Sequence, residues 1–219
     1  MNQTSTPHTR KNATYAVKDG SCLLDRCLKR LFDFVLALLA LILSSPFFLL
    51  FALLIKREDG GPAIYKQERI GLKGKAFLIY KFRSMKVDAE ADGPELCHEE
   101  KSKDPRLTVV GAFLRHHHLD ELPQLWNVFK GDMAFVGPRP ERQFFIDKIV
   151  EQDPRYTSLY QIRPGVTSHA TLYNGYTDTM EKMLKRLEYD LAYLSHHNIF
   201  IDAGLLAKTF SSIVFGKRF

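Results

Sequence analysis

The chain has few cysteines and no internal repeat or low-complexity tract. Its 219 residues include three cysteines, Cys22, Cys27 and Cys97, which are an odd number and show no C-x-x-C spacing. This pattern argues against a disulfide framework and a zinc site, and it fits a reducing cytosolic compartment. Apolar residues are plentiful, at 45% of the chain, so the protein should bury a core rather than stay disordered.

Negative charge is in deficit, because 31 lysines and arginines face 25 acidic residues, for a net charge of +6. Such a balance suits anionic partners: phosphorylated small molecules, acidic lipid headgroups or nucleic acid. No recognised nucleic-acid motif occurs, so we predict no nucleic-acid partner. Residues 1–20 are polar and hold no apolar run, which predicts a flexible tail rather than a signal peptide.

The strongest compositional feature is the apolar segment from Leu31 to Ile55, which is long enough to span a bilayer as a helix. Ser44-Ser45-Pro46 interrupts its middle, and proline removes a backbone donor that nearby serines can replace. Both flanks are basic, with Lys29-Arg30 before and Lys56-Arg57 after. The positive-inside rule therefore gives no orientation. A kinked single span and a re-entrant helix-break-helix that returns to the cytoplasmic face both fit this pattern.

Two short β-prone runs flank "GLKG" (residues 71–74) and predict a β-hairpin. We interpret most of its basic residues as part of a solvated or lipid-facing surface. Lys81 and Arg83 differ, because alternate positions of a strand share one face and could hold one anion together. The following segment, residues 87–106, is acidic and predicts a flexible loop.

Asp120 and Glu121 are adjacent carboxylates in "HHHLDELPQLW" (residues 116–126). Apolar spacing predicts a helix from Pro123 with Gly131 as its C-cap, which would put both acids at the positive end of that helix. Simple helix electrostatics would explain them, and a phosphate or metal site would explain them too. Further on, "VGPRP" holds Arg139 between two prolines, either as a solvent-facing turn or as a rigid phosphate ligand.

The C-terminal part predicts two further helical segments. A helical pattern runs from about Asp178 to Leu194, and "NIFIDAGLLAKTFSSIVFGKRF" (residues 198–219) is apolar but interrupted by Asp202, Gly204 and Lys208. The second segment is too interrupted to span a membrane. It fits a helix lying along a membrane surface, and a buried core helix is the competing interpretation.

Read in order, these motifs resemble the bacterial sugar transferases, specifically the small monotopic phosphoglycosyl transferases. The matching stretches are "KRLFDFVLALLALILSSPFFLL", "YKQERIGLKGKAFLIYKFRSM", "DPRLTVVGAFLR", "LDELPQLWNVFKGDMAFVGPRP", "RPGVTS" and "LEYDLAYL". They cover nearly all of residues 28–210. A lone "DELP" is weak evidence, whereas the long string that ends in "VGPRP", placed after an "SSP"-broken apolar segment, is highly specific.

The resemblance implies an α+β, predominantly helical fold. It implies a flexible tail (1–20), a re-entrant membrane helix-break-helix (21–58) and a small cytosolic catalytic domain with a short β-hairpin and interfacial amphipathic helices (59–219). The protein would lie in the bacterial inner membrane at its cytoplasmic face, among anionic lipids.

The resemblance also implies an activity. Such enzymes transfer a sugar-1-phosphate from a nucleotide sugar, usually UDP-linked, to polyprenyl (undecaprenyl) phosphate and release UMP, the first membrane step of capsule, exopolysaccharide, O-antigen or glycoprotein glycan assembly. Carried over, Asp120 is the nucleophile that forms a covalent phosphosugar, and Glu121 is the ligand of Mg²⁺. The substrate-binding residues would be Arg115, Arg139, Lys81 and Arg83.

The chain departs from the family pattern at two places. His116, His117 and His118 stand where relatives commonly carry hydroxyl residues, and we interpret them as polar packing or substrate contacts rather than metal ligands. The segment "ATLYNGYTD" (170–178) lacks an arginine that the family often shows, so donor sugar recognition stays open. A non-catalytic membrane-anchored scaffold is the alternative function. The sugar, the glycan pathway and the formation of a homodimer also stay open.

Overall fold

The computed structural model describes residues 16–89, 104–174, 177 and 179–214. Within them the fold is α+β and predominantly helical, as predicted. The helices are α1 (Leu23–Asp59), α2 (Val109–His116), α3 (Gln124–Lys130), α4 (Gln143–Gln152), α5 (His169–Tyr173), α6 (Met180–His196) and α7 (Ile199–Val214). The strands are β1 (Ile64–Ile70), β2 (Ala76–Phe82), β3 (Ala134–Val136) and β4 (Gly165–Thr167), and 3₁₀ turns occupy Leu72–Gly74, Leu119–Glu121 and Pro154–Gln161.

Helix α1 is continuous through Pro46, whereas the sequence pattern predicts an interruption there. The reason lies in the two serines. Pro46 has no N–H for the carbonyl of Ile42, and the Ser45 hydroxyl donates to that carbonyl at 2.8 Å. The Ser44 hydroxyl donates to the carbonyl of Ala40 at 2.6 Å. The side chains thus replace a backbone hydrogen bond that the proline removes, and the helix persists.

The N-terminal part of α1 is tied to the globular part of the protein. Lys29 pairs with Asp202 of α7 at 2.5 Å, and Arg30 donates to the carbonyls of Val128 and Phe129 at the end of α3. Charged side chains near the N-terminus of α1 therefore serve as structural anchors.

At the other end of α1, the carboxylate of Glu58 accepts from the backbone N–H groups of Val109 and Val110 at 2.6 and 3.1 Å. These are N–H groups of the first turn of α2, which have no partner inside that helix. Asp59 pairs with Arg83, which follows β2. Both ends of α1 thus contact the same folded unit.

The predicted hairpin is confirmed. Strands β1 and β2 pair antiparallel, with Ile64 opposite Phe82 and Ile70 opposite Ala76. The turn between them contains Lys73 and Gly74, both with positive φ. Phe82 is buried at the end of β2 and packs with Phe51 and Ile55 of α1.

A second sheet, which the sequence did not predict, consists of the short parallel pair β3–β4. The largest hydrophobic cluster joins Val136 of β3 to apolar residues of α4, the Pro154–Gln161 turn, α6 and α7. The helix predicted near Asp178–Leu194 is observed as α6, and the C-terminal apolar segment begins with α7. Asp202 does not interrupt α7, because it is buried against Lys29 and the Tyr193 hydroxyl.

The last residues of the predicted flexible tail (1–20) contact the folded domain. Ser158 accepts a hydrogen bond from the backbone of Val17, and Gln161 donates to the carbonyl of Val17 at 2.6 Å, so this end of the tail is bound to the domain. The rest of the predicted tail (1–15), most of the acidic loop with Cys97 (90–103) and the basic C-terminal residues (215–219) lie outside the described residues.

Candidate active site

Asp120 and Glu121 lie in a 3₁₀ turn, Leu119–Glu121, between α2 and α3. We call this segment the acidic turn. Both residues precede α3, which begins at Gln124, one residue after the predicted start at Pro123. His118 starts the turn with φ of 55°, in the left-handed region that most side chains avoid. The turn directs Asp120 inward, and this residue is only 5% exposed. An almost fully buried aspartate beside a second carboxylate is unusual for a residue that only begins a helix.

Two cations converge on Glu121. The Lys81 ammonium lies 2.6 Å from Oε1, and a guanidinium nitrogen of Arg139 lies 3.8 Å from the same oxygen. Burial raises the pKa of Glu121, but the positive charges of Lys81 and Arg139 outweigh burial and bring the pKa to about 2. Glu121 is therefore ionised throughout the physiological pH range.

Arg139 reaches this cluster from a different part of the chain. It follows β3 in the segment "VGPRP", in which Pro138 and Pro140 are buried while the side chain of Arg139 is 42% exposed. Gly137 allows the close approach of β4, since a Cβ at this position would lie 2.4 Å from the carbonyl oxygen of Arg163. The prolines and this tight contact hold Arg139 on a rigid backbone.

Asn127 is a site-building residue that the sequence analysis missed. It is fully buried on α3, and its side-chain amide donates to the carbonyl of Leu78 at 2.7 Å and accepts from the N–H of Tyr80 at 3.1 Å. It thereby fixes β2 against the helix that follows the acidic turn, and Lys81 is the next residue of that strand. The available signal was an amide in the middle of the apolar stretch "LWNVF".

Two of the predicted substrate-binding residues are placed differently. Arg83 is buried, its guanidinium pairs with Asp59, and it donates to the carbonyl of Pro62 at 2.7 Å. The shared anion site expected for Lys81 and Arg83 is therefore not formed, because Lys81 contacts Glu121 instead. A phosphate-binding role for Arg83 stays a prediction, and its contacts in the structure join α1 to the hairpin.

Arg115 lies in the last turn of α2, one short stretch before the acidic turn. A hydrogen bond from Arg106 lowers the pKa of Asp104 to about 2, and the charge of Arg115 contributes to this shift. Arg115 is thus close enough to Asp104 for its charge to act on that carboxylate. Its predicted contact with substrate stays a prediction.

The side chains around Glu121 fit a magnesium ion. Mg²⁺ takes oxygen ligands and is commonly held by one or two carboxylates together with substrate phosphates. Lys81 and Arg139 both make their closest approach to Oε1 of this carboxylate. Within the part of the chain that the structure describes, no three His, Cys, Asp or Glu residues form a metal-binding group. A metal here would therefore rely on substrate oxygens and water.

The three adjacent histidines do not converge. The rings of His116 and His117 meet edge to face at 4.8 Å, and His117 also contacts the ring of Phe113. Both of these histidines are exposed, whereas His118 is partly buried and its charge contributes to the low pKa of Glu121. Their arrangement fits polar packing and substrate contact.

Comparison with known proteins gives a match to the family model described as "Bacterial sugar transferase" over residues 24–216. One relative is the "UDP-N-acetylgalactosamine-undecaprenyl-phosphate N-acetylgalactosaminephosphotransferase" of Aeromonas hydrophila, 37% identical over 87% of this chain and 45% of that protein. Another is the "UDP-glucose:undecaprenyl-phosphate glucose-1-phosphate transferase" of Escherichia coli (strain K12), 40% identical over 84% of this chain and 40% of that protein. The chain spans less than half the length of these two relatives.

A third relative matches along its full length. It is the "Exopolysaccharide production protein PSS" of Rhizobium leguminosarum bv. phaseoli, which is 38% identical over 90% of this chain and 100% of the relative. The family match includes the acidic turn, the hairpin lysine and the "VGPRP" segment that together form the site. The chain belongs to the bacterial sugar transferase family.

Proposed function

We propose that this protein transfers a sugar-1-phosphate from a UDP-sugar to undecaprenyl phosphate and releases UMP. Two of the relatives named above carry this type of reaction in their names, with N-acetylgalactosamine in one and glucose in the other. The sugar is therefore not inferred from them. The name of the third relative supports a place in exopolysaccharide production.

One observation carries the proposal: a buried aspartate, Asp120, sits next to a carboxylate that is kept ionised by Lys81 and Arg139. Phosphoryl transfer from a diphosphate develops negative charge, and nearby cations stabilise that charge in the transition state. The arrangement supplies a carboxylate nucleophile together with positive charge around it.

In the first step, an oxygen of Asp120 attacks the phosphorus that bears the sugar. The new bond joins that oxygen to phosphorus, and the phosphorus–oxygen bond to UMP breaks, so UMP leaves with the bonding electron pair. Arg139 orients the diphosphate and Lys81 keeps Glu121 ionised. Mg²⁺, held by Glu121 and substrate oxygens, would neutralise charge on the diphosphate.

In the second step, a phosphate oxygen of undecaprenyl phosphate attacks the same phosphorus. The bond to Asp120 breaks, the carboxylate is regenerated, and the product is undecaprenyl-diphosphate-sugar. Two displacements through a covalent intermediate allow the water-soluble donor and the lipid acceptor to use one nucleophile in turn.

The lipid acceptor requires a site at the membrane surface, and we propose that α1 enters the cytoplasmic leaflet, bends at Ser44–Pro46 and returns. Among the described residues, α1 is the one helix with the length and apolar composition to cross a membrane. Its central apolar side chains are exposed, with Leu43 at 76% and Leu49 at 66%, and such a surface needs an apolar surrounding.

The anchoring of both ends of α1 supports re-entry. At the N-terminal end, Lys29 contacts α7 and Arg30 contacts α3. At the C-terminal end, Glu58 contacts α2 and Asp59 contacts Arg83, which follows β2. A helix that crosses the bilayer places its ends on opposite sides of about 30 Å of hydrocarbon. One folded unit can bind both ends only if they lie on the same side, so we place the protein at the cytoplasmic face of the bacterial inner membrane, in contact with anionic lipids.

The function is tested by incubating the detergent-purified full chain with undecaprenyl phosphate, Mg²⁺ and a panel of UDP-sugars, with UMP as the readout. We expect at least one donor to give UMP, and we expect D120N to lower the rate by at least a thousandfold because an amide is a poor nucleophile. D147N is the matched control, because Asp147 is an exposed acid on α4 that accepts from Gln143. Equal rates in D120N and D147N would exclude Asp120 as the nucleophile, whereas no UMP release by the wild-type chain with any donor would favour the non-catalytic scaffold.

A further inference from the structure

Glu141 follows the "VGPRP" segment and lies in a buried ion cluster that the reaction described above does not use. Its side chain is almost completely buried, at 6% exposure of the residue. One carboxylate oxygen lies 2.5 Å from a guanidinium nitrogen of Arg186 on α6, and the other lies 3.3 Å from Arg69 on β1. A glutamate in this environment connects three parts of the fold: the hairpin, the segment after β3 and α6.

We propose that Glu141 is a positioning residue for Arg139. Its ion pairs with Arg69 and Arg186 fix the backbone from which the Arg139 guanidinium contacts the donor diphosphate. This inference rests on the proposed function, in which Arg139 binds that diphosphate. Glu141 itself does not touch the reacting atoms. It acts through its own negative charge and through the backbone of residues 137–141, which form the loop that carries Arg139.

The backbone contacts show how the loop is held. At its start, the N–H of Gly137 donates to the carbonyl of Thr167, and the carbonyl of Pro138 accepts from the N–H of Gly165. At its end, the carbonyl of Pro140 accepts from the Arg69 side chain at 3.3 Å. The residues before and after Arg139 are thus fixed to two different strands.

Glu141 completes this fixation. Its backbone carbonyl accepts from the N–H of Ile70 at 3.1 Å, and its side chain accepts from Arg69, the preceding residue of the same strand. The loop is therefore tied to β1 by main chain and side chain together. Arg139 is the one exposed residue in the span 136–141. Its guanidinium is the part of this span that can meet a ligand.

The charges around Glu141 also favour this role. Burial raises the pKa of Glu141, but Arg186, Arg69 and also Arg139 lower it more strongly, so the carboxylate is ionised and the charge of Arg139 acts on it. Without its two ion pairs, Glu141 would compete with the donor for Arg139. Since Arg186 and Arg69 occupy its two oxygens, Arg139 is left to approach Glu121 at 3.8 Å.

Loss of the Glu141 charge would leave Arg69 and Arg186 buried with less compensation, next to Arg139. Uncompensated buried charge is costly, and the loop would shift to relieve it. We expect this shift to weaken donor binding rather than to remove the nucleophile. The effect should therefore fall on the KM for the donor and on the affinity for UDP.

A double-mutant cycle separates positioning from plain structural support. We measure kcat and KM for UMP release, and UDP affinity by calorimetry, in wild type, E141Q, R139A and the double variant. We expect E141Q to raise the donor KM and the Kd of UDP about tenfold or more with arginine at position 139, and less than twofold with alanine there. E188Q is the matched control, since Glu188 is an exposed, arginine-paired glutamate on α6, and it should match wild type.

Equal losses from E141Q in both backgrounds would overturn the proposal, because Glu141 would then act on the whole fold. If E141Q does not fold, E141D takes its place in the same cycle, with the same two outcomes, since aspartate keeps the charge and shortens the side chain. The proposed function fails separately: a wild-type protein that releases no UMP overturns it, while the UDP affinities still decide the role of Glu141. Wild type that does not bind UDP would overturn both.

Discussion

At the scale of single residues, the site depends on how charges are paired. Asp120 and Glu121 are neighbours in the sequence but have different surroundings, because one is buried and the other faces Lys81 and Arg139. The sequence located both carboxylates and two of the cations. It did not predict that Arg83 would bind Asp59, because a strand pattern shows which residues share a face but not which acid will meet them from another helix.

Replacing Lys81 tests the charge balance at Glu121. K81M removes the closest positive charge, so burial is opposed mainly by Arg139 and the pKa of Glu121 rises from about 2. Because the ionised carboxylate is the active form, the acidic limb of the pH–rate profile should move up by at least one pH unit. K66M is the control, since Lys66 is exposed on the same hairpin and stacks on Tyr80. An unmoved acidic limb in K81M would contradict this assignment.

Asp190 gives a prediction about stability. Burial raises its pKa to about 7, although Arg186 opposes the shift. The unfolded chain loses this proton near pH 4 and the folded protein near pH 7, so stability should fall as pH rises between these values and stay low above pH 7. D190N removes the ionisation. It should therefore raise the Tm by about 5 °C at pH 8 and change it little at pH 5.

Thermal unfolding of wild type and D190N in detergent at both pH values measures this effect. D147N serves as the control, because Asp147 is exposed and should shift the Tm equally little at both pH values. A D190N difference that is the same at pH 5 and pH 8 would show that Asp190 does not change its protonation on unfolding.

At the scale of elements, local patterns predicted the pieces that are stabilised locally. The "GLKG" turn and the apolar spacing after Pro123 identified the hairpin and α3, and Gly131 ends α3 with φ of 94° as predicted. The parallel pair β3–β4 was missed, because three-residue strands separated by α4 and a turn carry no local signal. The sequence pattern predicts an interruption of α1 at Pro46, and the helix continues there because Ser45 replaces the hydrogen bond that Pro46 removes.

Asn127 tests how far one side chain holds two elements together. N127A removes both hydrogen bonds of this buried side chain, the one to the carbonyl of Leu78 and the one from the N–H of Tyr80. Each such loss costs about 1–3 kcal/mol, so we expect the free energy of unfolding to fall by about 2–5 kcal/mol and UMP release to fall with it. Chemical unfolding in detergent measures the change. A loss below about 1 kcal/mol would show that α3 and β2 do not depend on this amide.

At the scale of the whole molecule, the proposed re-entry of α1 would bring a lipid and a nucleotide to one site. The sequence supplied the basic flanks and the length of the apolar segment. It could not supply the contacts of Lys29 with Asp202 or of Glu58 with α2, because these join residues far apart in the chain. Such contacts arise only when the fold forms.

Single cysteines at positions 18 and 66, in a cysteine-free background, test the topology. Lys18 and Lys66 are exposed and lie before and after α1. In intact cells we expect both cysteines to be protected from a membrane-impermeant thiol reagent, and both to be labelled after the inner membrane is permeabilised. Labelling of one position alone in intact cells would mean that α1 crosses the bilayer.

The most direct measurement of the central claim is the trapping of the covalent intermediate. The full chain is incubated with an accepted UDP-sugar and Mg²⁺ but without undecaprenyl phosphate, quenched with acid, and examined by mass spectrometry. We predict a mass increase equal to one sugar phosphate, located on the peptide that contains Asp120, and its loss after undecaprenyl phosphate is added. An unmodified Asp120, in a preparation that still forms undecaprenyl-diphosphate-sugar when the acceptor is supplied, would contradict the account.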